Sequence, residues 1–158
     1  MIWGHGLRPR QVRGPPQPAE PPQTSTIVAR RYLCRACKAV LLVVPRGIAR
    51  CKHYAATAIA FALALFGVDK RPMAEIREAL SERRTIEEEA RWNWPTLRRW
   101  IDAVGRAALW PSLPRSASPS SARLIAERAA MALASHARLS LAGAPLSHRA
   151  FHGGEHMA

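Results

Sequence analysis

Arg31 to Pro45 reads RYLCRACKAVLLVVP, a C-x-x-C knuckle set between two runs of strand-forming residues. Branched and aromatic side chains favour the pleated surface of a sheet, and the preceding TIVARRYLC has the same bias. Two thiolates at this spacing on a tight turn face one ion, and Arg35 and Lys38 nearby favour the deprotonated sulfurs. A tetrahedral zinc site takes four ligands, so Cys34 and Cys37 supply half of one. His5, Cys51 and His53 are the other candidates before the helical part begins. The Cys51-x-His53 spacing is poor for zinc, and His5 lies beyond a Pro-rich insert. A thioredoxin-type redox pair needs a helix after its first cysteine, whereas a strand follows here. A pair of structural thiols without metal is the alternative reading.

Working outward, residues 15–26, PPQPAEPPQTST, are too rich in proline for a helix or a central strand and read as a loop. Before them, WGHGLRPRQVRG has the glycine and arginine content of a short hairpin or extended arm. Residues 1–52 therefore form a basic, zinc-ribbon-like segment with a Pro-rich insert. From His53 the pattern turns helical. YAATAIAFALALF covers 13 residues, too short to cross a bilayer, and reads as a buried helix stopped by Gly67. Pro72 opens a second helix, in which Met73, Ile76 and Leu80 recur at helical spacing. Thr85-Ile86-Glu87-Glu88 has the form of a capping box for a short helix ending near Arg91. After Trp92-Asn93-Trp94, Pro95 opens another helix, with Leu97, Trp100, Ile101 and Val104 on one face and Arg98, Arg99, Asp102 and Arg106 elsewhere.

Residues 53–110 thus read as a helical helix-turn-helix domain. Residues 111–122, PSLPRSASPSSA, read as a second linker. Arg123 to Leu141 forms a weak Ala-rich helix in which Leu124, Met131 and Leu139 are too sparse for a firm core face, and the final GAPLSHRAFHGGEHMA reads as disordered. The expected fold class is mainly α with a small β portion, a partial zinc-ribbon hairpin followed by a helix-turn-helix.

The 158 residues carry 24 Lys+Arg against 11 Asp+Glu, a formal charge of +13. Their distribution says more than the total. No acid lies between Glu20 and Asp69, while Arg30, Arg31, Arg35, Lys38, Arg46, Arg50 and Lys52 do. The acids cluster instead from Asp69 to Glu89. A partner with a regular array of negative charge, such as DNA, suits this asymmetry, and a solvated arginine face is the blander account. Three cysteines, an odd number, and an N-terminus without an apolar run argue against a disulfide framework and for a reducing, cytoplasmic setting.

In a helix-turn-helix the second helix offers its first residues to base edges while the first helix crosses the phosphate backbone. Thr96, Arg98 and Arg99 would read bases, with Arg91 and Asn93 near phosphate and Trp92 and Trp94 bracing the turn. Arg30, Arg31, Arg35, Lys38 and Arg46 would contact phosphate from the ribbon. An ordinary helical hairpin is the alternative. Catalysis is not expected. After Asp102 only Glu127 and Glu155 remain as carboxylates, too few to hold the metal ions of strand transfer, and no P-loop or Ser/His/Asp set occurs. No membrane or small-molecule substrate is implied.

On these stretches the chain resembles, over about residues 3 to 106, the N-terminal DNA-binding part of transposase-related bacterial proteins, which carry a zinc ribbon followed by a helix-turn-helix. WGHGLRPRQVRG is similar to the strand after their first cysteine pair, RYLCRACKAVLLVVP to their second knuckle, and WNWPTLRRWI to their recognition helix. The resemblance implies Cys34 and Cys37 as zinc ligands, excludes Cys51, and puts the other pair before Met1, as in a late-assigned start or a truncated gene. The family's catalytic domain is much longer than the 52 residues after Arg106, which departs from an active transposase. Two further readings stand beside DNA binding: a zinc-dependent protein-interaction module, and a nonfunctional mobile-element fragment.

Overall fold

The computed structural model describes residues 1–49, 52–82, 94–115 and 120–158. Three strands, β1 (Ile2–Gly14), β2 (Gln23–Cys34) and β3 (Val40–Val43), form one antiparallel sheet in that order. The segment expected as an arm is a 13-residue strand that pairs with β2 from Ile2↔Cys34 to Gly14↔Gln23. One bulge interrupts it, where His5 and Gly6 both stand opposite Arg31, between the pairs Gly4↔Tyr32 and Leu7↔Arg30. Strand β2 begins at Gln23, inside the stretch 15–26 expected as loop.

The helices are α1 (Ala56–Gly67), α2 (Met73–Leu80), α3 (Pro95–Gly105), α4 (Ala122–Ser135) and α5 (Leu146–His156), with a 3-10 turn at Leu139–Leu141. With 42% of the described residues helical and 23% in strands, the fold is mixed α/β, which corrects the expectation of a mainly α chain. Its sheet was underestimated for a physical reason. Most of the ribbon lies outside the core, so its strands lack the in/out alternation that marks a half-buried sheet.

Helix α1 is the axis of the core, with every residue but Thr57 buried. Its alanines leave room for neighbouring backbones to come close, and α2, α3, α4 and α5 all pack around it. Buried side chains of α1 to α5 join one apolar cluster with Trp110 and Leu113. Among the described residues after 110, the buried Leu113, Ala126, Ala129, Ala130, Leu133, Ala134, Ala150 and Phe151 belong to that same cluster. The segment read as disordered forms α5, whose Ala150 and Phe151 are buried. It was hidden because the contact is built from glycine. A Cβ on Gly153 would collide with the carbonyl oxygen of Leu133 in α4, and one on Gly154 would lie 2.6 Å from the Ala60 Cβ and 2.9 Å from the Ala56 oxygen in α1. In α4 the core face is Ala126, Ala129, Ala130, Leu133 and Ala134, while Leu124, Met131 and Leu139 are exposed.

Polar contacts fix the ends. Ser121 caps α4 by accepting from the Leu124 amide at 3.3 Å. Arg123 donates to the Phe66 carbonyl at 2.9 Å and lies over the Phe66 ring, satisfying the C-terminus of α1 with a cation. Arg46 donates to the His156 carbonyl at 3.1 Å, doing the same for α5. Arg10, on β1, donates to the carbonyls of Ala49 and Lys52, tying the ribbon's base to the body.

On α5, burial lowers the pKa of His152 below the usual imidazole value; Glu155 opposes this, and His148, Arg138 and His156 add to it. The unfolded chain thus takes up this proton more readily than the folded one. The His152 contribution to stability is fully present above the unfolded imidazole pKa, about 6.5, and is lost as pH falls below it. Between pH 7.5 and pH 5.5 the melting temperature should fall, and His152→Gln should flatten that slope. An equal slope in the variant would remove His152 as the source.

Candidate nucleic-acid interface and metal site

Away from its base the outer strands of the ribbon are solvent-exposed on both faces, while in the central strand Ala29 is buried and Arg31 to Cys34 are half-buried. In an antiparallel pair, residues directly opposite share a face. Leu33 with Trp3 and Val40, Arg31 with Leu42, and Ala29 with Arg8 fall on one side; Tyr32 with Gly4 and Leu41, Arg30 with Leu7 and Val43, and Val28 with Pro9 fall on the other. Arg30 and Arg31, grouped by sequence as one cationic unit, therefore project to opposite faces. Arg31 instead joins Arg8, a residue the sequence reading passed over, and Arg35, whose guanidinium sits 4.9 Å from the centre of the Trp3 ring. The missed signal for Arg8 was its strand register, which only the pairing with β2 sets. Arg30 is left on the face of the half-buried Tyr32 and of Leu7, Val28, Leu41 and Val43, the last four exposed.

None of Arg8, Arg30, Arg31, Arg35 and Lys38 has an ion-pair partner among the described residues, and the strands themselves contain no acid. The ribbon is an uncompensated cationic surface. Arg46 differs from the others, since its guanidinium already serves the end of α5.

At the ribbon's end, β2 passes into the knuckle. The Cys34 amide donates to the Ala39 carbonyl at 2.9 Å, and the Lys38 amide to the Cys34 carbonyl at 2.9 Å, closing a tight turn in which Lys38 takes a left-handed conformation, φ 60°. On the other flank the Arg35 amide donates to the Met1 carbonyl at 3.2 Å. The Cys37 amide, the Cys37 thiol and the Ala36 amide hydrogen-bond to Cys34, in decreasing order of effect, and hold its pKa below the usual thiol value. Amides converging on a sulfur favour a thiolate, the form that binds metal. Cys34 and Cys37 are free thiols, the first half-buried and the second exposed. The donor set fits half of a zinc site: among the described residues no group of three or more His, Cys, Asp or Glu converges. His5 is carried on the bulge and His53 lies at the base of the ribbon, so neither completes the knuckle, and Cys51 lies outside the described residues.

Helix α3 begins at Pro95, and its Leu97, Trp100, Ile101 and Val104 face the core as their spacing required. Trp100 packs edge-on against Trp94 at 5.3 Å and against Tyr54 at 4.9 Å between ring centres, anchoring the start of the helix beside α1. Thr96 is half-buried, and Arg98, Arg99, Asp102 and Arg106 are exposed. The short helix read at 85–91, with Arg91, Trp92 and Asn93, lies outside the described residues.

No helix among the described residues is long and apolar enough to cross a membrane. No protein-family model, no curated protein and no solved structure matches this chain.

Proposed function

We propose that this chain is a DNA-binding protein, related to the DNA-binding part of transposases and acting in the cytoplasm. One observation carries the reading: a three-stranded ribbon whose strands hold no acid carries arginines that have no ion-pair partner among the described residues. Polyanion binding releases counterions from DNA in proportion to the phosphates such cations meet. Arg8, Arg31 and Arg35 line one face of the ribbon and track phosphate, with Lys38 at its end. Thr96, Arg98 and Arg99, exposed or half-exposed in the first turns of α3, read base edges; a bidentate Arg–guanine pair supplies about 1–3 kcal/mol of discrimination. Zinc on Cys34 and Cys37 would hold the end of the ribbon rigid and supply no chemistry on the nucleic acid.

The test is selection of a preferred duplex from a random pool, followed by affinity measurement with Arg98→Ala plus Arg99→Ala. The double variant should lose its preference among sequences and keep weak, salt-sensitive binding. Retention of the preference would remove α3 as the reader. A second reading, a zinc-dependent protein-interaction module, is favoured by the apolar residues exposed on both faces of the ribbon. The absence of any DNA affinity at low salt would favour it over the first.

A further inference from the structure

Each chain brings two cysteine sulfurs to one tight turn, and zinc takes four ligands. Several features of the knuckle say where the other two come from. The cysteines sit at the ribbon's end, Cys37 exposed and Cys34 half-buried, so a second molecule approaches them from the Cys37 side. The positions flanking them along the chain's own sheet are filled by backbone, the Met1 carbonyl on one side and Ala39 on the other. Apolar side chains surround the turn and stay uncovered: Ile2 stands opposite Cys34, Trp3 and Val40 flank Leu33, and Trp3 and Val40 are 53% and 51% exposed.

We propose that Cys34 and Cys37 form one half of an interchain zinc site, completed by the same two cysteines of a second copy joined end to end at the ribbon. The count of donors is self-complementary, as a twofold contact requires. Charge also selects this occupant. A zinc ion with four thiolates is doubly negative, and Arg35 and Lys38 of both copies would surround it with opposite charge. Without the metal those same cations oppose the approach of two copies, so pairing depends on zinc. Ile2, Trp3 and Val40 would then lose their exposure in the contact. The inference rests on the reading of Cys34 and Cys37 as metal ligands and is independent of DNA binding.

The experiment is a Zn²⁺ titration of the purified, reduced chain, followed by native mass spectrometry and light scattering, with Co²⁺ absorption in parallel. The expected product is a doubled mass holding one metal ion per two chains. A tetrahedral thiolate spectrum should accompany it, and chelator should return the monomer. Cys34→Ser plus Cys37→Ser should abolish both metal and dimer with an unchanged circular dichroism spectrum, because the turn lies outside the core; if that variant misfolds, chelator reversal on the unaltered chain decides. One tightly held metal per monomer would overturn the interchain site and leave the ligand assignment standing. No metal bound at all would overturn both. A dimer that persists in chelator would overturn the zinc dependence.

Discussion

Gly153→Ala should destabilise the protein by about 3 kcal/mol, a fall in melting temperature of about 6–12 °C for a chain of this size. The added methyl would occupy the space of the Leu133 carbonyl oxygen. That oxygen belongs to the backbone of α4, so it cannot rotate away as a side chain would. Relief requires moving α5 off α4, and the movement also lifts Gly154 from Ala60 and Phe151 from its place beside Phe61, 6.0 Å between ring centres. The intrinsic helical gain of alanine over glycine, about 1 kcal/mol, offsets only part of this. Gly143 is the control, because nothing lies within 4 Å of a Cβ built there. Gly143→Ala should stay within about 0.5 kcal/mol of the parent. Thermal unfolding of the two variants side by side separates a contact effect from a general response to alanine. Equal melting temperatures would mean that α5 does not pack on α4 through its glycines.

The second large effect concerns the cationic ribbon. Replacing Arg8, Arg31 and Arg35 by alanine should lower the slope of log affinity against log salt by about 3, close to one unit for each phosphate contact removed. The loss should be nearly uniform across DNA sequences, because phosphate contacts position the protein without specifying bases. Arg30→Ala should cost less, since Arg30 projects to the opposite face of the sheet. Fluorescence anisotropy with a labelled duplex at several salt concentrations measures all of this. An unchanged slope in the triple variant would remove the ribbon from the interface. Because these side chains stand outside the apolar cluster, the folded state should survive the changes, and a melting curve on the same samples verifies it.

Legibility followed the type of contact each residue makes. Where a side chain is large, apolar and placed at helical spacing, its position could be read directly: Met73, Ile76 and Leu80, then Leu97, Trp100, Ile101 and Val104, fall on helices α2 and α3 with Ile76, Leu80 and the four residues of α3 buried. The strands β2 and β3 and the tight turn at Cys34 and Cys37 were legible from β-branched runs around a fixed spacing. Helix α5 was not, since glycine and histidine carry little helical propensity and a backbone-to-backbone contact leaves no apolar pattern. Nor was the full length of β1, whose pairing is a property of two segments joined across a Pro-rich loop.

By itself, then, the amino-acid sequence determined the cationic, acid-free character of the stretch between Glu20 and Asp69, the knuckle, and the apolar stripes of α2 and α3. These depend on residue identity and short-range spacing alone. The tertiary structure decided which arginines share a face, because a strand's side chains alternate and only its partner sets the register. It also decided that the C-terminal helices belong to the core, because close approach at Gly153 and Gly154 exists only when α1, α4 and α5 are assembled. That no third ligand joins the two thiols among the described residues is likewise a matter of space: spacing can bring Cys34 and Cys37 together, but only the folded chain shows what else comes near them.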